Sequence, residues 1–110
     1  MNDRATTVME LRDTFREFVR VRGWEGAHSP KNLAMSIAIE AAELMEIFQL
    51  STLEEAAKVS STPEFEHVKE ELADALIYCL SMANCLDVDI SAAIEDKLTK
   101  NAKRYPPKKV

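Results

Sequence analysis

The sequence has few of the residues that break a chain or cross-link it. Only two glycines and four prolines occur among 110 residues, so the composition is neither that of a disordered linker nor that of a fibrous protein. The two cysteines, Cys79 and Cys85, lie in a segment of helical pattern, where a separation of six residues places them about 240° apart around the axis. They cannot bridge one another without unwinding that helix, and we predict two reduced thiols in the core.

Long apolar runs and an excess of basic charge are also missing. Residues 1–7 hold no apolar stretch of signal-peptide length, and Asp74 interrupts the longest apolar stretch, so we expect no membrane span. The net charge is −5 and the isoelectric point is near 5.0, which argues against a general nucleic-acid or membrane-surface binder. We therefore expect a cytoplasmic protein that binds neither nucleic acid nor membrane.

The length predicts one domain, residues 1–110, in which residues 106–110 form a flexible tail. A compact fold of this size buries only about two-thirds of the surface that its unfolded chain exposes. We therefore expect a partner subunit to add stability, in a homodimer or homotetramer.

The periodic segments have helical spacing, and their starts are marked by capping residues. Thr7 with Glu10 has the form of a capping box, and Ser29 before Pro30 is a typical helix start. Both glycines fall in a predicted loop, 22–28. The sequence predicts an all-α fold, a bundle of four main helices plus a short connecting helix, with main helices over 7–21, 30–49, 63–86 and 90–104 and the connection between 51 and 60.

Two pairs of acids occupy unusual places in this pattern. Glu40, followed three residues later by Glu43, falls inside the apolar stripe of its helix, where an ionised carboxylate costs several kcal/mol unless something pairs with it. Asp74, three residues after Glu71, is the only charge in the fifteen residues 72–86. Both pairs therefore point toward the bundle interior, and two facing acid pairs repel unless a cation lies between them.

Four carboxylates suit a hard divalent cation, Mg²⁺ or alternatively Mn²⁺, and not Zn²⁺, which prefers His and Cys. Because Mg²⁺ is commonly completed by substrate phosphates, such a site indicates polyphosphate chemistry. A di-iron carboxylate bundle is the rival metal site, but it needs Glu-x-x-His on two helices, and in both motifs another acid stands at that spacing. Two solvated surface pairs without metal remain the simplest alternative.

Several motifs together resemble one family. Glu40-x-x-Glu43 and, after a spacer, Glu71-x-x-Asp74 resemble the signature of the MazG-like all-α nucleoside triphosphate pyrophosphohydrolases. Further segments are similar to the dCTP pyrophosphatase branch, so that the resemblance extends over residues 11–106: Trp24-Glu25-x-x-His28-x-Pro30-Lys31-Asn32-Leu33, Glu46-x-Phe48-Gln49, Leu76-Ile77-Tyr78 and Lys97-x-x-x-Asn101-x-x-Arg104-Tyr105-Pro106.

This resemblance implies Mg²⁺-dependent hydrolysis of a nucleoside triphosphate between its α and β phosphates, giving a monophosphate and pyrophosphate. It implies metal ligands at Glu40, Glu43, Glu71 and Asp74. The expected substrate-binding residues are Phe15, Trp24, His28, Tyr78, Lys97, Asn101, Arg104 and Tyr105.

The expected mechanism is attack of a metal-activated water on the α-phosphorus. Glu43 is the candidate general base, because its edge position on the helix leaves it nearest to solvent, although Glu40 or Glu71 could serve. Lys97 is the candidate catalytic cation beside the leaving pyrophosphate.

Two residues depart from the dCTP branch. Leu50 stands where that branch usually has Trp, and Phe15 stands where some relatives use His, which leaves the identity of the base open. The alternative from another class is a non-catalytic helical dimerisation or regulatory module whose acidic cluster is structural.

Overall fold

The computed structural model describes residues 1–108, and within them all regular structure is helical. The predicted all-α class is therefore confirmed. Of the predicted tail, residues 106–108 have no regular secondary structure, and residues 109–110 lie outside the described part. Five α-helices follow in chain order, with short 3-10 turns at Glu25–Ala27 and Val59–Ser61: α1 (Val8–Val21), α2 (Pro30–Phe48), α3 (Leu53–Ala57), α4 (Phe65–Leu86) and α5 (Ile90–Arg104).

Side-chain caps fix four of the five helix starts. Thr7, Ser29, Thr52 and Asp89 each accept a hydrogen bond of 3.0–3.2 Å from a backbone N–H three residues later. Such bonds satisfy amides that the helix itself leaves free. The capping signals in the sequence therefore locate these starts to within a residue.

The helix boundaries differ from prediction at two places. α4 begins at Phe65 and not at Pro63, because residues 62–65 form a turn closed by a 3.2 Å bond from the Phe65 N–H to the Thr62 carbonyl. The connecting helix ends at Ala57, because Lys58 departs from helical geometry (φ −101°, ψ 9°). The predicted loop 22–28 also contains the 3-10 turn Glu25–Ala27.

The centre of the fold is α4, which packs along α2 on one side and against α1 on the other. The buried residues of the described part are few, and they lie on these three helices: Val19, Leu33 and Ala83, with the polar residues Arg12 and Ser81.

Arg12 joins α1 to the end of α4. Its Nε donates to the Asn84 side-chain oxygen at 3.0 Å and its Nη1 donates to the Val88 carbonyl at 2.8 Å, while Asn84 Nδ2 donates back to the Arg12 carbonyl at 3.1 Å. Arg12 is only 5% exposed. The buried guanidinium is thus held by neutral oxygens, which satisfy its donors without a carboxylate partner.

α5 leaves the body of the fold. Asp87 takes the left-handed conformation (φ 53°) and α5 runs on at 103° to α4. Within residues 1–108, α5 packs extensively against none of the other helices, and its apolar residues Ile94 and Leu98 are 53% and 61% exposed. The radius of gyration is 16.9 Å, compared with about 13 Å for a compact domain of this length.

The predicted burial of Cys79 and Cys85 is wrong for the single chain, since both thiols are free and exposed. The apolar residues Met35 and Met45 of α2 are 48% and 59% exposed. The helical pattern predicts which faces are apolar, but α1, α2 and α4 together cover only part of those faces.

No single helix in the described part is long and apolar enough to cross a membrane. Only α4 and α5 taken together meet the length and composition criterion, and they are sharply bent relative to one another.

We predict that Asn84→Ala lowers the free energy of unfolding by about 2 kcal/mol, because it removes an acceptor from the buried Arg12 guanidinium. Urea unfolding followed by circular dichroism, at one protein concentration, measures this change. Gln49→Ala, at the exposed end of α2, is the control and should stay within about 0.5 kcal/mol of the parent. Equal stability of Asn84→Ala and the parent would contradict the inference that the bonds between Arg12 and Asn84 stabilise the contact of α1 with α4.

Candidate active site

The closest grouping of acids lies where α2 runs beside α4. Carboxylate oxygens of Glu40, Glu43 and Glu71 lie within 4.8 Å of one another. We call these three residues the acid cluster. Two come from adjacent turns of α2 and the third from the facing turn of α4, so the packing of the two helices brings the carboxylates together.

The acid cluster has unused ligand capacity in its interior. Glu40 Oε2 and Glu71 Oε2 are both buried, and neither has a hydrogen-bond partner among the described residues. Glu71 is 12% exposed in its side chain, whereas Glu43 is exposed. Buried carboxylate oxygens without partners are costly, so this arrangement favours a bound cation.

The protonation of Glu40 reflects this crowding. Burial, followed by the neighbouring carboxylates of Glu71, Glu43 and Asp74, raises the pKa of Glu40 from 4.5 to about 7. A carboxylate that resists ionisation for these reasons is stabilised in its charged form by a positive ion among its neighbours.

The donor set fits a hard divalent cation. The acid cluster supplies only oxygens, and Asp74 lies one helical turn beyond Glu71, close enough that its charge raises the pKa of Glu40. Oxygen-only coordination suits Mg²⁺ or Mn²⁺. Asp74 is not among the three residues whose oxygens lie within 4.8 Å of one another.

A histidine beside the acid cluster was missed in the sequence analysis. His67 lies one turn before Glu71 on α4, with Nε2 3.3 Å from Glu71 Oε1 and Nδ1 3.6 Å from Glu64 Oε2. It lines an acidic cavity of about 420 Å³ with Glu43, Glu46 and Glu64. The four-residue spacing from His67 to Glu71 was the available signal, since residues at that spacing share a helix face.

Glu64 and His67 also have the Glu-x-x-His spacing of di-iron sites. The other such spacing in the sequence, Glu25 to His28, spans the 3-10 turn, and those two residues line a different cavity between α1 and α4. The two spacings are not brought to one site, so the di-iron alternative is not supported.

A second cavity lies between α1 and α4 and includes Asp74. We call it the aromatic cavity; its volume is about 230 Å³ and its lining comprises Phe15, Phe18, Trp24, His28, Asp74, Ile77 and Tyr78. Four of the residues that the sequence analysis named for substrate binding, Phe15, Trp24, His28 and Tyr78, therefore lie around one cavity with Asp74. Asp74 connects this cavity to the acid cluster along α4.

Ring contacts order the wall of the aromatic cavity. The rings of Phe15 and Phe18 are 5.8 Å apart, Phe18 meets Trp24 edge-on at 5.8 Å, and Phe15 lies 6.2 Å from the His28 ring. The Arg22 guanidinium covers Phe18 at 3.4 Å. Phe18 was not among the expected site residues; its three-residue spacing from Phe15 placed it on the same face.

The expected residues of α5 are not brought to this site within the chain. Lys97, Arg104 and Tyr105 are exposed and Asn101 is half-buried, and all four lie apart from both the acid cluster and the aromatic cavity. The physical reason is the turn at Asp87, which directs α5 away from α2. The part of these four residues in substrate binding therefore stays a prediction.

Comparison with known proteins identifies the family. The family model described as MazG-like matches residues 35–110. The chain belongs to the MazG-like family. Its resemblance to that family, stated above on the acid motifs, is thereby confirmed.

Relatives cover most of this MazG-like chain. It is 37% identical over 101 residues to dCTP pyrophosphatase 1 of Bos taurus, an alignment that covers 91% of this chain and 60% of that protein. The identity to dCTP pyrophosphatase 1 of Homo sapiens is also 37%, over 91% of this chain and 59% of the human protein. This chain thus spans about three-fifths of the length of these mammalian relatives.

A solved structure shares the fold. The crystal structure of a pyrophosphatase from Archaeoglobus fulgidus matches with a TM-score of 0.85 and 41% sequence identity, covering 97% of this chain and 99% of that one. The similarity therefore extends to α5 and is not limited to the helices that carry the acids.

We predict that Glu40 makes the metal-free protein less stable as pH rises. Because the folded state raises its pKa from 4.5 to about 7, Glu40 holds a proton in the folded chain that it has lost in the unfolded chain, and unfolding releases it. The melting temperature should fall as the pH rises from 4.5 to about 7. Glu40→Gln should remove this part of the dependence of melting temperature on pH. Mg²⁺ should then raise the melting temperature more at pH 8 than at pH 5, because binding needs the charged carboxylate.

Glu70→Gln is the matched control, since Glu70 is exposed on α4 beside Glu71, and it should keep the parental slope. Thermal melts from pH 4 to 8, with EDTA or with Mg²⁺, measure both effects. A parental slope in Glu40→Gln, or an equal Mg²⁺ shift at both pH values, would contradict the assignment.

Proposed function

We propose that this chain hydrolyses a nucleoside triphosphate between its α and β phosphates, releasing a nucleoside monophosphate and pyrophosphate. The observation that carries the proposal is the adjacency of the acid cluster, with its two buried unpartnered oxygens, to the aromatic cavity through Asp74. Its membership of the MazG-like family and its similarity to dCTP pyrophosphatases and to an archaeal pyrophosphatase support the same activity.

The cation of the proposal is Mg²⁺, with Mn²⁺ as an alternative, held by Glu40, Glu43, Glu71 and Asp74. A divalent cation bound there supplies Lewis-acid activation of a phosphate oxygen and of a water molecule. His67, 3.3 Å from Glu71, orients that carboxylate from outside the ligand set.

Proton acceptance and nucleoside binding are assigned to different residues of the chain. Glu43, the exposed member of the acid cluster, is the group that accepts the proton of the attacking water. Trp24 is 49% exposed at the rim of the aromatic cavity, where it can cover the nucleoside. Tyr78, one turn beyond Asp74, forms the inner wall and positions the sugar.

The base is the least defined part of the substrate. The curated relatives are dCTP pyrophosphatases, so dCTP is the first substrate to test. Leu50, however, is 96% exposed and lies outside the aromatic cavity, and Phe15 has no polar group with which to bind a base edge.

We propose further that the working form is a homo-oligomer, a dimer or a tetramer. Ile94 and Leu98 of α5 and Leu72 and Leu76 of α4 are each about half exposed or more, and a second copy of the chain is the partner that would cover such faces. Assembly would also bring the phosphate-binding candidates of α5, Lys97 and Arg104, to the acids of another copy.

We predict that Asp74→Asn abolishes turnover without unfolding the protein, because it removes a charge that lies between the acid cluster and the aromatic cavity. Pyrophosphate release from a panel of ribo- and deoxyribonucleoside triphosphates with Mg²⁺ measures turnover, and circular dichroism measures folding. Asp96→Asn, exposed on α5, is the control and should keep the parental rate. An Asp74→Asn enzyme with the parental rate would remove Asp74 from the mechanism, and a parent that is inactive on the whole panel would favour the non-catalytic module.

We also predict that Leu98→Glu shifts the protein toward a monomer of 12.4 kDa, because a charge would enter the proposed contact between copies. Sedimentation at several protein concentrations measures the mass. Lys100→Glu adds the same side chain on the other side of α5 and should leave the assembly intact. A parental protein that is monomeric at all concentrations would contradict the oligomer.

A further inference from the structure

The cavity that Glu25 and His28 line between α1 and α4 shares lining residues with the aromatic cavity. We call it the inner cavity; its volume is about 340 Å³, and its lining includes Arg16, Ser81 and Asn84. Phe15 and His28 line both cavities, so their rings form the boundary between the two. The two cavities are therefore neighbours along α4.

The order of residues along α4 matches the order of groups in a nucleotide. Asp74 stands near the acid cluster, Tyr78 lines the aromatic cavity and Ser81 lines the inner cavity. The seven residues from Asp74 to Ser81 rise about 10 Å along the helix axis, which is comparable to the length of a nucleoside. A nucleotide with its phosphates at the acid cluster therefore has the length to place the far edge of its base near Ser81.

Ser81 carries a polar group with no partner in the described part of the chain. The residue is 4% exposed, and its Oγ is buried without a hydrogen bond. Leaving a buried hydroxyl unsatisfied destabilises the folded protein, whereas replacing it with a methyl group removes that penalty. The serine is thus unfavourable for stability alone, and a ligand that binds the hydroxyl would offset the penalty.

The other polar groups of the inner cavity indicate which hydrogen-bonding groups a ligand would need there. The Asn84 oxygen already accepts from Arg12 Nε and Arg16 Nη2, at 3.0 Å each, so its lone pairs are occupied. Arg16 makes one further bond, to Asp13 at 3.0 Å, and keeps additional N–H donors free. The free donors are therefore the Ser81 hydroxyl and Arg16 N–H groups, which can bind a carbonyl oxygen. The lining also holds the Glu25 carboxylate, an acceptor, but that residue is exposed whereas Ser81 is buried.

We infer that the inner cavity binds the edge of the base and that Ser81 is a specificity-determining residue, which donates a hydrogen bond to a base carbonyl. This inference rests on the proposed pyrophosphohydrolase function and adds to it the way in which the base is selected. It assigns to Ser81 the polar contact that Phe15 cannot make. Cytosine, uracil, thymine and guanine carry a carbonyl, and adenine carries none.

The test is Ser81→Ala, with kcat and KM measured for dCTP, dUTP, dTTP, dGTP and dATP in Mg²⁺ and the melting temperature measured without nucleotide. For the best carbonyl substrate we expect KM to rise about fivefold or more with kcat within about twofold, since the lost bond is present before and during reaction. The melting temperature should stay the same or rise. Any turnover of dATP should keep its parental KM.

Ser60→Ala is the matched control, because Ser60 is exposed in the second 3-10 turn, and it should change neither KM nor the melting temperature. An unchanged KM in Ser81→Ala would overturn the inference, and so would an equal rise for dATP or a fall in melting temperature, which would indicate a structural hydroxyl. A parental enzyme that hydrolyses none of the five nucleotides would instead overturn the proposed function, so the two failures are distinguishable.

Discussion

The packing of α2 against α4 contains a repulsive contact between carboxylates. Three carboxylates lie within 4.8 Å of one another there, and burial together with these neighbours raises the pKa of Glu40 to about 7. The same packing that forms the core thus forces like charges together. A chain can keep such an arrangement when a proton or a cation compensates it, which ties the ionisation state of the site to the stability of its helix pair.

Much of the fold follows from local signals in the sequence. The capping residues Thr7, Ser29 and Asp89 locate their helices to within a residue, because each cap bond forms within one turn. Helical periodicity likewise places Glu40 and Glu71 on facing sides of α2 and α4. These features depend on residues three or four apart, and sequence patterns report such distances directly.

Other features depend on how the helices are arranged relative to one another, which the periodicity of a single helix does not predict. The direction of α5 is set by one left-handed residue, Asp87, and a pattern that predicts the helix leaves that angle open. The burial of Cys79 was predicted wrongly for a related reason, since an apolar face can be covered by another copy as well as by the same chain. His67 was missed because only the acids of the two motifs were considered, although its spacing from Glu71 was readable.

The single chain therefore carries two kinds of incompleteness. The acid cluster has buried oxygens without partners, and α4 and α5 have apolar side chains without cover. Both are unfavourable for an isolated chain in water, and a different partner would relieve each of them, an ion in one case and a protein surface in the other.

The bend after α4 has a geometrical consequence. α5 is fifteen residues long, or about 22 Å, and it follows a short turn at Asp87. Arg12 Nη1 holds this turn by donating a hydrogen bond to the Val88 carbonyl at 2.8 Å. Over a helix of that length, a few degrees of backbone rotation at Asp87 displace the C-terminal end of α5 by ångströms. The backbone at Asp87 thus sets the positions of Lys97 and Arg104, although it lies thirteen residues after Asp74.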